Sequence, residues 1–156
     1  MATEPQQQVT HVEDGEEIYR SVKDLPSHFA QDSTGRLKLG SSAFNDPDKR
    51  PSVDRAKHCA EGPQSSRRNE ADGVVSLNVG DVRSIAGVVT NDKKGKPLQS
   101  HAVDVVHHPE DDNFSHALVV TNPDVVAEPA FKRLKEALCL LAERRGWVHV
   151  PASQRS

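Results

Sequence analysis

The sequence predicts a single α+β domain: a mostly antiparallel sheet covered by a C-terminal amphipathic helix, with a loop-rich N-terminal half. Three observations carry this expectation. Phe131, Leu134, Leu138 and Leu141 recur at steps of three and four, which draws one apolar stripe along a helix over 127–145. Gly73 to Val79, GVVSLNV, alternates with period two, as a half-buried strand does. His101 to Thr121 sets two apolar runs on either side of the acidic stretch Pro109–Ser115, the pattern of a β-hairpin, here expected to be central.

Apolar residues make up 35% of the chain, and they are sparse in residues 1–15 and in the Pro-, Ser-, Arg- and Asp-rich stretch 45–72. The core must therefore come mainly from 73–150. A polar tail is expected over 1–15, one domain over 16–150, and a second short tail over 151–156. The first ordered run is Ile18 to Val22, which is β-prone. Pro26 suits the first position of a helical turn. Asp32-Ser33-Thr34-Gly35 is turn chemistry, and Arg36-Leu37-Lys38-Leu39 alternates as a short strand. SVDRAKHCA, Ser52 to Ala60, reads as a helix capped by Ser52 after Pro51. After the strand at 73–79, Gly80-Asp81 opens a short helix closed by Gly87. Val88 to Thr90 is expected as a further strand of the main sheet, alongside 73–79, 101–107 and 116–121. Gly146 stands where a helix ending at Arg145 needs its C′ residue, and Trp147 to Val150 fits a last edge strand.

Net charge is -3, so no global positive field attracts nucleic acid or an anionic membrane. Arg67-Arg68 and Lys93-Lys94 lack the aromatic neighbours that stack bases, which argues in the same direction. No run approaches the apolar length of a membrane span, and no secretory leader is expected. Cys59 and Cys139, 80 residues apart, form no disulfide framework or zinc spacing, and reduced thiols in a cytoplasmic protein are the expectation.

The segments GRLKLGSSAF, SVDRA, GVVSLNVGDVR and NFSHALV, spread over roughly residues 17–150, resemble a family of small bacterial proteins with no established activity. That resemblance implies a bacterial source and a conflict or defence setting, and it implies no mechanism. Ile18-Tyr19-Arg20 is similar to the opening of RES-type toxins, which resemble ADP-ribosyltransferases. This likeness covers those residues alone, and the later catalytic pattern of that class is absent from the chain.

Candidate chemistry centres on the hairpin. Strand parity places His101 and His107 on one face, with His108 on the other. With a loop over 109–115, His107 and His116 are expected to face each other across the ladder, where paired Cβ atoms lie about 5 Å apart. Two such imidazoles suit acid–base work at neutral pH. Asp54 and His58, at i and i+4 of the expected helix, would orient an imidazole, with Arg55 beside them. Arg20, Ser41, Ser42, His58 and Asn113 complete the polar candidates, as anion holders or turn and loop contacts. Glu110, Asp111 and Asp112 offer oxygens, but the stretch lacks the four N or S ligands of a structural zinc site, so no metal and no cofactor are expected.

Two readings follow. One is a small bacterial accessory protein that binds a protein partner, in a conflict or defence system. The other is a His-dependent enzyme acting on a nucleotide or RNA, by ADP-ribosyltransferase-like or phosphoryl-transfer chemistry. Here His101, His107, His116, Asp54 and Arg55 would serve as the catalytic set. The two are separated by whether His107 or His116 lines a concave site within reach of Asp54 or Arg55.

Overall fold

A computed structural model describes residues 8–155. Its main sheet has six strands, all antiparallel. In chain order these are β1 (Glu17–Val22), β4 (Ser52–Arg55), β5 (Gly73–Asn78), β8 (Ala102–His107), β9 (His116–Asn122) and β10 (Trp147–His149). Across the sheet the order is β10-β5-β1-β4-β9-β8. Two hairpins stand apart, β2 (Phe29–Gln31) with β3 (Leu37–Leu39), and β6 (Val89–Asn91) with β7 (Pro97–Ser100). The helices are α1 (Val79–Arg83) and α2 (Glu128–Arg145). The α+β class and the covering C-terminal helix are as the sequence predicts.

The sheet buries one face against α2. Ile18 and Val22 of β1, Val53 of β4, Val75 and Leu77 of β5, Val103 and Val105 of β8, and Ala117 and Val119 of β9 meet Phe131, Leu134 and Leu138 in one core. Period-two alternation is clean in β8, where Val103, Val105 and His107 are buried and their neighbours exposed. α2 ends at Gly146, whose φ of 82° suits a residue without Cβ. Asn78 caps α1, its side chain accepting the Asp81 N–H at 3.0 Å.

Three expectations are corrected. Ser52 to Arg55 is a strand, followed by a single 3-10 turn over Ala56–His58, so the expected helix over 52–60 does not form. Val53 and Arg55 face the α2 side while Asp54 faces away, and all three are buried, so alternation of polarity is lost. Val89 to Asn91 leaves the main sheet to pair with β7. The His-rich hairpin β8–β9 lies at one margin of the sheet, and β1 and β4 hold its middle.

Residues 1–7, the first part of the expected tail, and Ser156 lie outside the described residues. Val12 is buried in the core, and Thr10 and His11 hydrogen-bond to Arg55. At the other end Pro151 is buried and Ser153 donates to Asp24. Among the described residues, no helix is long and apolar enough to cross a membrane.

Outside the hydrogen-bonded ladder, β8 presents its backbone to α1. The Arg83 guanidinium donates to the Val105 carbonyl at 3.2 Å and to Asp104 at 2.7 Å. Asp104 in turn accepts the Val105 N–H at 2.7 Å.

The opposite margin depends on a close approach. A Cβ added to Gly73 would stand 2.9 Å from the His149 carbonyl oxygen, Pro151 Cδ and Trp147 Cζ3. Gly73→Ala must push β10 from β5, and a destabilisation of about 1–3 kcal/mol is expected, the usual range for overpacking. Urea denaturation of the variant measures it. An unchanged midpoint would show that β10 is not tightly seated.

Candidate functional site

The register of β4, β9 and β8 positions the polar centre. Ser52 pairs with Leu118, and Asp54 with His116. Paired residues share a face, so Ser52, Asp54, His116 and Leu118 lie on the face turned away from α2. His107 pairs with Ala117, and the His108 N–H donates to the His116 carbonyl at 2.9 Å. The expected His107–His116 pair is therefore corrected by one residue. His116 faces His108, with ring centroids 5.3 Å apart, and His107 points into the core side.

A cleft of about 710 Å³ opens over this face. Ser52, His116 and Leu118 form its floor, and His108 and Glu110 one wall. The turn at Asp46–Arg50 forms another wall. Its Asp46 carboxylate accepts the backbone N–H groups of Asp48 and Arg50, at 2.9 and 3.0 Å. Lys49 takes a left-handed φ of 59° in this turn.

Within the cleft His116 is fully engaged. A carbonyl can only accept, so the 2.7 Å contact to the His108 carbonyl identifies His116 Nδ1 as a donor. Its neutral ring then carries a lone pair on Nε2, which lies 3.1 Å from Ser52 Oγ. The Ser52 hydroxyl donates to it. Glu110 Oε1 stands 3.8 Å from His116 Nδ1, and His108 Nδ1 3.3 Å from it. Ser52 is itself held by its backbone, since its carbonyl accepts from Arg20 Nη1 at 2.8 Å.

Asp54 sits beside this pair but is committed elsewhere. Its Oδ1 accepts from Asn113 Nδ2 at 2.8 Å and Ser115 Oγ at 2.9 Å, and Arg68 lies 3.8 Å from Oδ2. Asn113 thus ties the hairpin loop to β4, and also closes the loop through paired backbone bonds with Glu110.

The remaining candidates scatter. His107 Nδ1 accepts the Thr10 N–H at 3.0 Å, and Nε2 donates to the Phe114 carbonyl at 2.6 Å. Its ring stacks on His58 at 5.8 Å. Burial, reinforced by the charges of Arg55 and Lys57, pushes the His58 pKa down. His101 bridges the Pro123 carbonyl and Thr90 Oγ1, at 2.6 and 2.7 Å. Arg20 spends its guanidinium on the carbonyls of Ala43, Ser52 and Asn45, over the Phe44 ring. Ser41 and Ser42 lie in the 3-10 turn before Asn45, away from the cleft floor.

Arg55 is fully buried on the α2 side and forms a two-pronged pair with Glu16, both contacts at 2.8 Å. Burial of Glu16 opposes its ionisation. The Arg55 hydrogen bond, the Glu13 backbone N–H and the Arg55 and Lys57 charges outweigh that and hold its carboxyl at about 2.

The proposed sequence set is therefore not one site. His116 alone of the five catalytic candidates reaches the cleft floor, and its partner there is Ser52, not Asp54 or Arg55. Ser52 opens the SVDRA segment but carries no catalytic pattern there; only the strand register reveals it. Among the described residues, no group of three or more His, Cys, Asp or Glu is placed to hold a metal ion. Fold and site together define a small α+β protein with a polar, serine- and histidine-floored cleft. No protein-family model, no curated protein and no solved structure matches the chain.

Proposed function

We propose that this protein is a bacterial accessory protein, and that its cleft binds a positively charged segment of a protein partner. The balance of charge around the cleft carries the reading. Asp46, Asp48, Glu110 and Asp124 line it against two cations, Lys49 and Arg50. Both cations are already paired, Lys49 with Glu128 at 3.0 Å and Arg50 with Asp124 at 3.1 Å. The surplus negative field favours Lys or Arg side chains and repels phosphate, which weighs against a nucleotide or RNA substrate. The resemblance to small bacterial proteins supports a conflict or defence setting. Cys59 and Cys139 are free thiols, and burial with the nearby Glu143 and Glu136 pushes Cys139 up to about 11. Free thiols fit a reducing cytoplasm.

The test uses a fluorescein-labelled Arg-Gly repeat peptide and fluorescence anisotropy at low salt. Binding is expected to weaken with ionic strength, and about fivefold in Asp48→Asn, a loss typical of one exposed charge contact. Equal binding of a Glu-Gly peptide of the same length would dismiss the reading.

A further inference from the structure

We propose that Ser52 is a nucleophile activated by His116, and that the cleft hydrolyses carboxylic esters bearing a cationic group. The cationic preference rests on the charge balance of the cleft argued above; the nucleophile does not.

Four observations converge on Ser52. Its Oγ stands 3.1 Å from His116 Nε2, within the range of a nucleophile and its general base. The base is held in the tautomer this role needs, because His116 Nδ1 donates to the His108 carbonyl at 2.7 Å. Glu110 lies 3.8 Å from that same nitrogen, where its charge stabilises an imidazolium. Ser52 and His116 together line the cleft, so the pair meets solvent and ligand on one side.

The scaffold is rigid where the chemistry needs it. Ser52 lies on β4, in the middle of the sheet, and His116 on the neighbouring strand β9. The Pro51 carbonyl accepts the Val119 N–H at 2.9 Å, just before Ser52, and Arg20 holds the Ser52 carbonyl. A reactive pair carried on strands keeps its geometry better than one on loops.

The reaction balances with water as the only co-reactant. Ser52 Oγ bonds to the ester carbonyl carbon while its proton passes to His116 Nε2. The carbon–oxygen bond to the alcohol then breaks, and the imidazolium returns the proton to the leaving oxygen. His116 next takes a proton from water, whose oxygen attacks the acyl-Ser52 carbonyl. The acid departs, and Ser52 Oγ regains the proton. Glu110 and His108 are positioning residues, since they act through His116.

The intact chain is treated with a fluorophosphonate probe and digested for peptide mass spectrometry. A single adduct on Ser52 is expected. Ser52→Ala should lose it and keep the wild-type thermal transition. His116→Gln should slow labelling at least about 100-fold, the usual contribution of a general base. The absence of a Ser52 adduct on the folded wild type overturns the proposal, as does equal labelling of His116→Gln.

Hydrolysis is followed with p-nitrophenyl acetate, with a trimethylammonium ester and with an anionic ester. Ser52-dependent turnover that is fastest for the trimethylammonium ester is expected. Ser52-dependent turnover without charge preference would retain the nucleophile and overturn the cationic specificity. Glu110→Gln should shift the pH profile of labelling, which a purely structural residue would leave in place.

Discussion

Replacing Arg55 with methionine is expected to destabilise the protein by about 3–5 kcal/mol, the cost of stranding one charge of a buried pair. Arg55 has no exposed surface, and Glu16 is nearly as enclosed. The guanidinium also donates to Thr10 Oγ1 at 2.6 Å and the His11 carbonyl at 3.0 Å. It therefore staples residues 10–16 across the bottom of the core. Removing it leaves a carboxylate without counter-charge and releases that segment together. The double variant Arg55→Met with Glu16→Leu should recover part of the loss, because no charge is then left buried and unpaired.

The same pair sets an acid dependence. The Glu16 carboxyl lies at about 2 when folded against an ordinary 4.5. Between these values the unfolded chain binds more protons than the folded one, so stability falls as pH falls. The contribution is complete above the ordinary carboxylate range and lost as pH drops toward 2. Urea melts of the wild type and of Arg55→Met between pH 6 and pH 3 check both points. The variant should show a flatter profile, and parallel profiles would mean that the pair is not responsible.

Phe44→Ala is expected to cost about 3–5 kcal/mol, as large-to-small changes of buried aromatics do. Phe44 is wholly buried in the core and closes the 3-10 turn Ser41–Phe44. It also lies beneath Arg20, whose guanidinium carbon is 5.8 Å from the ring centroid. Losing the ring opens a cavity and removes a cation–π contact from the arginine that anchors Ser52. Denaturant melts should therefore show the loss, and fluorophosphonate labelling of the still-folded fraction should slow as well. A loss below about 1 kcal/mol would indicate that the turn collapses freely onto α2.

The parts of this fold that can be read from sequence are those governed by one neighbour. The α2 stripe and the GVVSLNV strand each answer to a single apolar environment, so periodicity exposes them. β4 answers to two. Val53 packs in the core, Arg55 beside it is an ion-pair partner, and Asp54 is held by a distant loop. Four residues with three kinds of buried partner show no alternation, and Pro51-Ser52 imitates a helix start. The pairing of His116 was nearly within reach. Closing a loop over 109–115 brings residue 108, not 107, opposite 116, and one step of register changes the face. The Ser52–His116 pair is beyond reach of the sequence, because the two residues are 64 positions apart and the SVDRA and NFSHALV segments that hold them carry no catalytic pattern.

The arrangement at β8 has a consequence for association. The outer strand of an open sheet offers unpaired backbone groups to any extended chain, including a second copy of itself. Here the outward N–H of Val105 is held by Asp104, its carbonyl by Arg83, and the His101 N–H by the Val88 carbonyl. An incoming strand would have to displace a side-chain clamp and bring its backbone against an ion pair. β8 is thus shielded from edge-to-edge polymerisation by a single arginine on a one-turn helix and the aspartate it grips.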